Sequence, residues 1–265
     1  MLAYDVDPSK PNAARIYDYL LGGKDNFAAD RAAAEQLLRA LPDAARFAKA
    51  NRAFLAAAVR HVAGHGIEQY VDIGAGLPTS PNVHECARAA VPGARVTYVD
   101  NDPVVVSHAR AVLAADDLVR VLSADARDYE AILSALELGG TIDLSRPVCV
   151  LLVSMLHFLA DSDADALVAA LRDRMAPGSY LVLSAGCRDD STVPMGEQIQ
   201  SAYGSRILLS GRTSAEIAAY FGDLELVPPG VVPVTEWPVE VPHARQATSA
   251  PATPGMLAGI GRKRP

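Results

Sequence analysis

The stretch that decides the fold is Tyr70-Val71-Asp72-Ile73-Gly74-Ala75-Gly76-Leu77-Pro78. A short apolar strand ends there at an acidic residue, and two glycines follow it almost at once. Glycine carries no side chain, so such a turn lets a ligand approach the backbone closely. The stretch also opens an alternation of apolar strands and helices that continues to residue 184, which predicts a parallel sheet covered on both faces. Right-handed crossovers make such a sheet doubly wound, and the fold class is therefore α/β.

The alternation defines the expected elements on both sides of this stretch. Predicted strands cover residues 70–73, 95–100, 119–122, 148–153 and 180–184, with helices at 82–90, 103–114, 128–136 and 163–175. The signals weaken after residue 185, where we expect helices near 194–203 and 214–221, strands near 224–227 and 256–261, and an extended Pro-rich loop at 228–254.

The first part of the chain is Ala-rich and free of strand signal. Its pattern predicts helices at 12–21, 27–40 and 43–61, the first of them ended by Gly22 and Gly23. We therefore expect residues 1–66 to form an N-terminal helical cap within the same domain as residues 67–265.

The segment at the end of the first helix, residues 17–26, is dense in polar and aromatic groups. It could cross the open end of the sheet as a lid and place Tyr17, Tyr19, Lys24 and Asn26 at the site. A plain helix C-cap followed by an N-cap explains the same residues without function, and both interpretations stay open.

Ligands of open parallel sheets bind beyond the carboxyl ends of the strands. Gly74 and Gly76 stand at such an end, but Thr79 occupies the position where a dinucleotide fingerprint requires a third glycine. An acidic residue before the glycines, as Asp72 is here, is instead typical of S-adenosylmethionine enzymes. A tight strand–helix turn without a ligand is the alternative.

The next two strands end in further polar groups. Asp100 closes the second strand 26 residues after Gly74, close to the spacing at which a carboxylate accepts hydrogen bonds from ribose hydroxyls. Asn101 follows it. Asp125 and Ala126 follow the third strand, where a polar residue can meet an adenine amino group; a solvated loop or a helix cap explains Asp125 almost equally well.

The fourth strand leads into Ser154, Met155 and His157, at the position that faces the reactive end of a cofactor in such sheets. His157 is the first candidate for a general base, because the unperturbed pKa of histidine lies near physiological pH. A structural histidine is the competing interpretation.

The composition of the chain limits which binding partners and which cellular compartment are expected. The formal net charge of −7 and the absence of a basic patch argue against nucleic acid and favour a small-molecule acceptor. Three scattered cysteines predict reduced thiols and no zinc site, so no metal is expected. The longest apolar run, residues 148–156, is too short to span a bilayer, and no signal peptide is visible, so we expect a cytoplasmic protein. The sequence gives no indication of the oligomeric state.

Together these motifs resemble a known family, the actinobacterial S-adenosyl methyltransferases long catalogued as a domain of unknown function. The resemblance covers nearly the whole chain and rests on residues 14–27 (ARIYDYLLGGKDNF), 72–79 (DIGAGLPT), 82–85 (NVHE), 98–104 (YVDNDPV), 156–158 (LHF) and 177–184 (PGSYLVLS).

The resemblance implies a class I methyltransferase fold, with a seven-stranded sheet whose last strand is antiparallel and an N-terminal helical cap. It also implies contacts to S-adenosyl-L-methionine at Gly74, Gly76, Asp100 and Asp125. Ser154-Met155 and Ala126 depart from the expected pattern, which bears on the acceptor more than on the cofactor.

The expected function is methyl transfer from S-adenosylmethionine to an unidentified small-molecule acceptor by in-line displacement. The protein would act mainly by positioning, with His157 as candidate base and Tyr17 or Tyr19 closing the acceptor side. The alternatives are a cofactor-binding regulatory protein without transfer activity and a nucleotide-cofactor oxidoreductase.

Overall fold

A computed structural model describes residues 7–113, 116–188, 193–204, 207, 209–238 and 255–264. The helices are α1 (Ala13–Leu21), α2 (Ala28–Ala40), α3 (Ala44–Gly64), α4 (Val83–Arg88), α5 (Pro103–Leu113), α6 (Tyr129–Leu138), α7 (Asp161–Arg174), α8 (Val193–Tyr203) and α9 (Ser214–Ala219). The strands are β1 (Gln69–Ile73), β2 (Arg95–Asp100), β3 (Val119–Ser123), β4 (Cys149–Val153), β5 (Tyr180–Gly186), β6 (Glu225–Leu226), β7 (Val232–Pro233) and β8 (Met256–Arg262). None of the described helices is long and apolar enough to cross a membrane.

The strands form one sheet in the order β3-β2-β1-β4-β5-β8-β6, with β7 paired to β8. Neighbours from β3 to β5 run parallel, whereas β8 runs antiparallel to β5 and β6. The order reverses between β1 and β4, and ligands of doubly wound sheets bind beyond the strand ends at such a point. The predicted fold class and the antiparallel last strand are confirmed.

The expected seven strands form the continuous path of the sheet, and within the described residues the short strand β7 is added to them. The pair Val232–Pro233 lies in the stretch predicted as an extended loop, yet it pairs with β8. A two-residue strand that contains proline carries no period-2 pattern, so the sequence could not reveal it. A short 3₁₀ turn, Val234–Glu236, follows it.

Both faces of the sheet are covered by helices because its central strands are apolar on both sides. All five residues of β1 are buried. One face packs against α3, α4 and α5, and the other against α6, α7 and α9. Burial of apolar surface, which contributes about 25 cal/mol per Å², is the main source of stability of the sheet.

A third, smaller hydrophobic cluster lies outside the sheet and forms the cap. It joins α1, α2, the start of α3 and the end of α8 through Ile16, Leu20, Ala34, Leu37 and Ala202. Helix α3 begins in the cap and continues across the sheet, and α8 reaches the cap from the C-terminal half of the chain. The predicted division of the domain at residue 66 stays a prediction.

Several predicted ends differ from the observed ones by two or three residues. Helix α3 runs on to Gly64, and the left-handed Gly66 (φ +79°) follows it. Helix α6 ends at Leu138, just before the left-handed Gly140 (φ +68°). Helix α4 is shorter than expected, α7 starts two residues earlier, and β5 extends by two, because the last residues of an element depend on tertiary contacts.

Candidate functional site

A cavity of about 530 Å³ opens where the strand order reverses. Its floor is formed by the turns after β1, β2, β3 and β4, and its walls by the start of α1, the middle of α3 and the end of α8. Small-molecule sites occupy about 300–1,000 Å³, so the cavity has the size of a ligand site.

The turn after β1 is shaped by two glycines with left-handed backbones, Gly74 (φ +73°) and Gly76 (φ +67°). A Cβ on Gly74 would lie 2.7 Å from the Cβ of Met155, so this glycine allows close packing against the turn after β4. A Cβ on Gly76 would meet nothing within 4 Å, because Gly76 borders the open cavity. The first glycine thus serves packing, and the second leaves bare backbone for a ligand.

Asp100, at the end of β2, holds this turn from the other side. Its Oδ2 accepts a hydrogen bond from Gly76 N at 2.9 Å, and its Oδ1 accepts one from Asp102 N at 2.9 Å. Burial raises the pKa of Asp100, and these backbone donors act against that rise. Each oxygen retains a second lone pair, so the carboxylate can still accept two hydroxyl hydrogen bonds in the cavity.

Asp72 lies deeper in the same wall. Burial raises its pKa to about 7, with the nearby Arg52 opposing and Asp100 adding to the rise. Arg52 donates to the carbonyl oxygens of Thr79 at 2.6 Å and Pro81 at 2.8 Å. The guanidinium therefore ties α3 to the loop after β1 and places a positive charge near the Asp72 carboxyl group.

Asp125 lies at the end of the cavity next to β3. Arg127 Nε donates to its Oδ1 at 2.9 Å, and Asn101 Nδ2 donates to its Oδ2 at 3.2 Å. Hydrogen bonds from Arg127 are the main cause that lowers the pKa of Asp125. The carboxylate therefore stays ionised at neutral pH and is already held on both oxygens.

The turn after β4 carries an unusual backbone at Ser154, which is left-handed (φ +59°) although it is not glycine. Ser154 N donates to Ser184 Oγ at 3.0 Å, and Ser184 Oγ donates to Asn51 Oδ1 at 2.6 Å. Asn51 Nδ2 then donates to the Tyr17 hydroxyl at 3.0 Å. One hydrogen-bonded chain therefore joins the strained turn to α3 and to the cap.

The hydroxyl of Tyr17 is used twice within the protein, once as an acceptor and once as a donor. Its hydroxyl accepts from Asn51 and donates to the Ala48 carbonyl at 3.1 Å. Burial raises its pKa, so the phenol stays protonated at neutral pH. The side chain lines the cavity while its polar atom is satisfied by protein groups.

His157 lies in the 3₁₀ turn Leu156–Phe158 and lines the cavity at the end opposite Asp125. Gly186 N approaches its Nδ1 at 3.5 Å as a donor, which places the proton of the neutral ring on Nε2. Burial, with the nearby Arg212 as second cause, lowers the pKa of His157 to about 4.

We expect nuclear magnetic resonance titration of the imidazole protons to place the pKa of His157 near 4. The unfolded chain takes up this proton near pH 6.5, so the native state is destabilised as pH falls from about 6.5 towards 4 and is unaffected above that window. A midpoint between pH 6 and 7 would contradict the buried environment described here. The signal of His108, a partly exposed residue of α5, serves as the internal reference.

The segment predicted as a lid does not border the cavity along its full length. Pro11 to Ala14, Tyr17 and Asp18 line it, and Asn12 Nδ2 donates to the Asp102 carboxylate. Tyr19 packs within the cap, Lys24 is exposed, and Asn26 donates to Asp18 Oδ2 at 2.8 Å. The start of α1, rather than the loop that follows it, covers the site.

The predicted residues on the strand ends all meet in this one cavity: Asp72, Gly74, Gly76, Asp100, Asn101, Asp125, Ala126, Ser154, Met155 and His157. Sequence reasoning missed Asn51, Arg52 and Tyr203, which reach it from α3 and α8. An available signal was that Asn51 and Arg52 interrupt the Ala-rich pattern of α3. Among the described residues, no group of three or more His, Cys, Asp or Glu side chains is placed to hold a metal ion.

Similarity to known proteins identifies the family of this chain. A family model described as S-adenosyl methyltransferase matches residues 2–264. The chain is similar to a crystallised candidate methyltransferase from Thermobifida fusca YX, with 43% identity, a TM-score of 0.88 and coverage of 97% of this chain and 96% of that one. It is also similar to a DUF574 family protein from Streptomyces avermitilis MA-4680, with 37% identity, a TM-score of 0.85 and coverage of 97% and 99%. A search of curated proteins finds no match. The chain therefore belongs to the S-adenosyl methyltransferase family.

Proposed function

We propose that this S-adenosylmethionine-dependent methyltransferase transfers the methyl group in line to a small molecule bound at the His157 end of the cavity. The observation that carries the proposal is that one cavity contains both a carboxylate end, with Asp100 beside the glycine turn, and an aromatic end, with His157 and Phe158. A donor and an acceptor can thus lie in contact inside one cavity.

The residues at the carboxylate end fit S-adenosylmethionine. The open space over Gly76 leaves room for the ligand against bare backbone. Asp100 would accept hydrogen bonds from the two ribose hydroxyls, since each of its oxygens keeps a free lone pair. Asn101, Asp125 and Ala126 would face the adenine, and Asp72, with Ser154, the methionine portion. When bound, the cofactor supplies a methyl group on a sulfonium, which is already activated for displacement.

The chain itself contributes orientation and exclusion of water. Helix α1 covers the cavity and is fixed at its start by Asn12 on Asp102 and further along by Tyr17 on Asn51. Alignment of two bound reactants can supply about 7–11 kcal/mol of a reaction barrier. Positioning by the cap and by the turn after β4 is therefore the main catalytic device that we propose.

His157 has a narrower role than a general base in this proposal. Its Nδ1 faces Gly186 N, so Nε2 carries the proton and offers a hydrogen bond to the acceptor. A ring whose pKa is about 4 is also a weak base at neutral pH. We therefore propose that His157 donates a hydrogen bond that orients the acceptor. As the bond from the methyl group to the acceptor forms, the bond to sulfur breaks and S-adenosylhomocysteine leaves, and the proton of a neutral acceptor then passes to water.

We expect His157→Gln to keep turnover within about tenfold of the natural protein, whereas His157→Ala falls further, because glutamine can still donate a hydrogen bond. Turnover is measured as S-adenosylhomocysteine formation with the first acceptor found. If His157 removed a proton in the transition state, both variants would lose about 10²–10⁴-fold, and the donor role would be wrong.

The proposal as a whole is tested with methyl-labelled S-adenosylmethionine and a panel of phenols, aromatic amines and carboxylic acids. We expect labelled product and an equal amount of S-adenosylhomocysteine from at least one panel member. Cofactor binding without any transfer would favour the regulatory alternative. The oxidoreductase alternative loses its support, since Thr79 stands at the third fingerprint position and the family is one of methyltransferases.

A small acceptor and a cytoplasmic location are also part of the proposal. The net charge of −7 leaves little attraction for a phosphate backbone, and the cavity is lined by more aspartates than arginines. Cys86 and Cys149 are buried thiols, as expected in a reducing compartment.

A further inference from the structure

We propose that the acceptor is an uncharged aromatic molecule that packs against Phe158 and accepts a hydrogen bond from the hydroxyl of Tyr203. This inference rests on the proposed function, because it names the class of acceptor for the same cavity.

The first observation is the state of the Tyr203 hydroxyl. Tyr203 closes α8, lies within the cap and lines the cavity. Burial raises its pKa, so the phenol keeps its proton at neutral pH. Its hydroxyl makes no hydrogen bond with any described residue, whereas the neighbouring Tyr17 hydroxyl makes two. Tyr203 is half-buried and borders the cavity, so its hydroxyl can donate to a group that enters the cavity.

The second observation is a row of rings at this end of the cavity. The Phe158 ring lies 4.3 Å from the His157 ring and 5.8 Å from the Tyr203 ring, centroid to centroid, the latter at 67°. Met155 and Ile207 add apolar surface beside them. Edge-to-face and offset arrangements of this kind extend readily to one more flat ring.

The third observation is the distribution of charge. Among the described residues that line the cavity, the cations are Arg52 and Arg127. Arg52 is bound to the carbonyls of Thr79 and Pro81, and Arg127 to Asp125, all away from the ring end. An anionic acceptor would therefore find no lining guanidinium at the ring end, where the buried Arg212 beside His157 is already bound to the carbonyls of Leu156 and Leu159. A cationic acceptor would be repelled by the sulfonium of the donor, and with S-adenosylhomocysteine, which has no sulfonium, an anionic probe lacks that charge too.

The experiment uses the full-length protein saturated with S-adenosylhomocysteine and three probes: 2-naphthol, 2-naphthoate and decahydro-2-naphthol. Binding is followed by isothermal titration and by saturation-transfer nuclear magnetic resonance at pH 7. We expect 2-naphthol to bind at least about tenfold more tightly than the anionic probe and the saturated alcohol.

Matched variants assign the contacts. Tyr203→Phe should weaken 2-naphthol about threefold to tenfold, and Phe158→Leu about tenfold, while Tyr129→Phe, outside the cavity on α6, should leave the affinity unchanged. Thermal melting of each variant checks that it is folded. The S-adenosylhomocysteine affinity should be the same in all four proteins.

The inference is overturned if 2-naphthol does not bind, if 2-naphthoate binds as well, or if Tyr203→Phe has no effect. Its failure is separable from failure of the proposed function. If S-adenosylhomocysteine binds and 2-naphthol does not, only the aromatic subsite is wrong. If S-adenosylhomocysteine itself fails to bind, the proposed function falls, and the probes are then compared on the protein alone.

Discussion

We expect the affinity for S-adenosylmethionine to fall by roughly 10²-fold or more when Asp100 is replaced by alanine, as isothermal titration would measure. Each hydrogen bond to a charged acceptor contributes about 1.5–3 kcal/mol, and about 1.4 kcal/mol is tenfold in affinity, so the loss of two ribose contacts gives this range. The variant also frees Gly76 N and Asp102 N, which loosens the glycine turn at the same time.

Asp173→Ala is the matched control for this prediction. Asp173 is an exposed residue on α7, distant in the fold from the cavity lining, and its replacement should leave cofactor affinity unchanged. A loss of less than tenfold in Asp100→Ala, with the fold intact, would mean that the cofactor does not use this carboxylate. Asp125→Ala should weaken cofactor binding less than Asp100→Ala does, because Asp125 is half-buried and already paired with Arg127.

The free energy of unfolding should fall by about 3–5 kcal/mol when Arg15 is replaced by methionine, because the change leaves a buried carboxylate without its counter-charge. Arg15 Nε lies 2.7 Å from Asp30 Oδ2, and the two side chains are 4% and 0% exposed. Asp30 also accepts from Asn12 N at 2.9 Å and Phe27 N at 2.8 Å, so the pair joins the starts of α1 and α2.

A solvent-exposed ion pair with the same N···O distance serves as the control. Arg146 Nη2 lies 2.7 Å from Glu68 Oε2, but both side chains are 54% exposed. Arg146→Met should therefore cost no more than about 1 kcal/mol. Urea unfolding of both variants measures the difference, and the melting temperature of Arg15→Met should drop by roughly 10 °C. Equal losses in the two variants would show that burial does not decide the strength of this pair.

The fold could be predicted because its main signals are local. Each central strand is a short apolar run bounded by glycine, proline or acidic residues, and right-handed crossovers leave few ways to arrange such strands. The family match confirms the methyltransferase class that the motifs indicated. The same topology brings the carboxyl ends of β1 to β4 together, which is why the sequence alone predicts that Asp72, Asp100 and His157 lie near one another.

What the sequence left open depends on how helices pack. Arg52 and Tyr203 reach the cavity from helices whose rotation about their own axes is set by tertiary contacts, and no short motif reports that angle. Tyr19 and Lys24 follow Tyr17 along the same segment, yet they point away from the site, because α1 covers the cavity with its first turns. The sequence did not reveal the short strand β7, because two residues, one of them proline, show no alternation.

The hydrogen-bonded chain from Tyr17 through Asn51 and Ser184 to Ser154 has a kinetic consequence. If α1 swings outward to admit or release a ligand, Asn51 loses one partner and Ser184 is free to rotate. Ser154 N then loses its bond to the Ser184 hydroxyl and keeps its bond to the Ser184 carbonyl oxygen at 3.0 Å. This weakens the hold on the left-handed backbone of Ser154, since such a conformation persists only where its surroundings enforce it. We expect exchange of ligands and relaxation of the turn after β4 to be one concerted event with a shared barrier, so that the reacting geometry exists only while the site is closed.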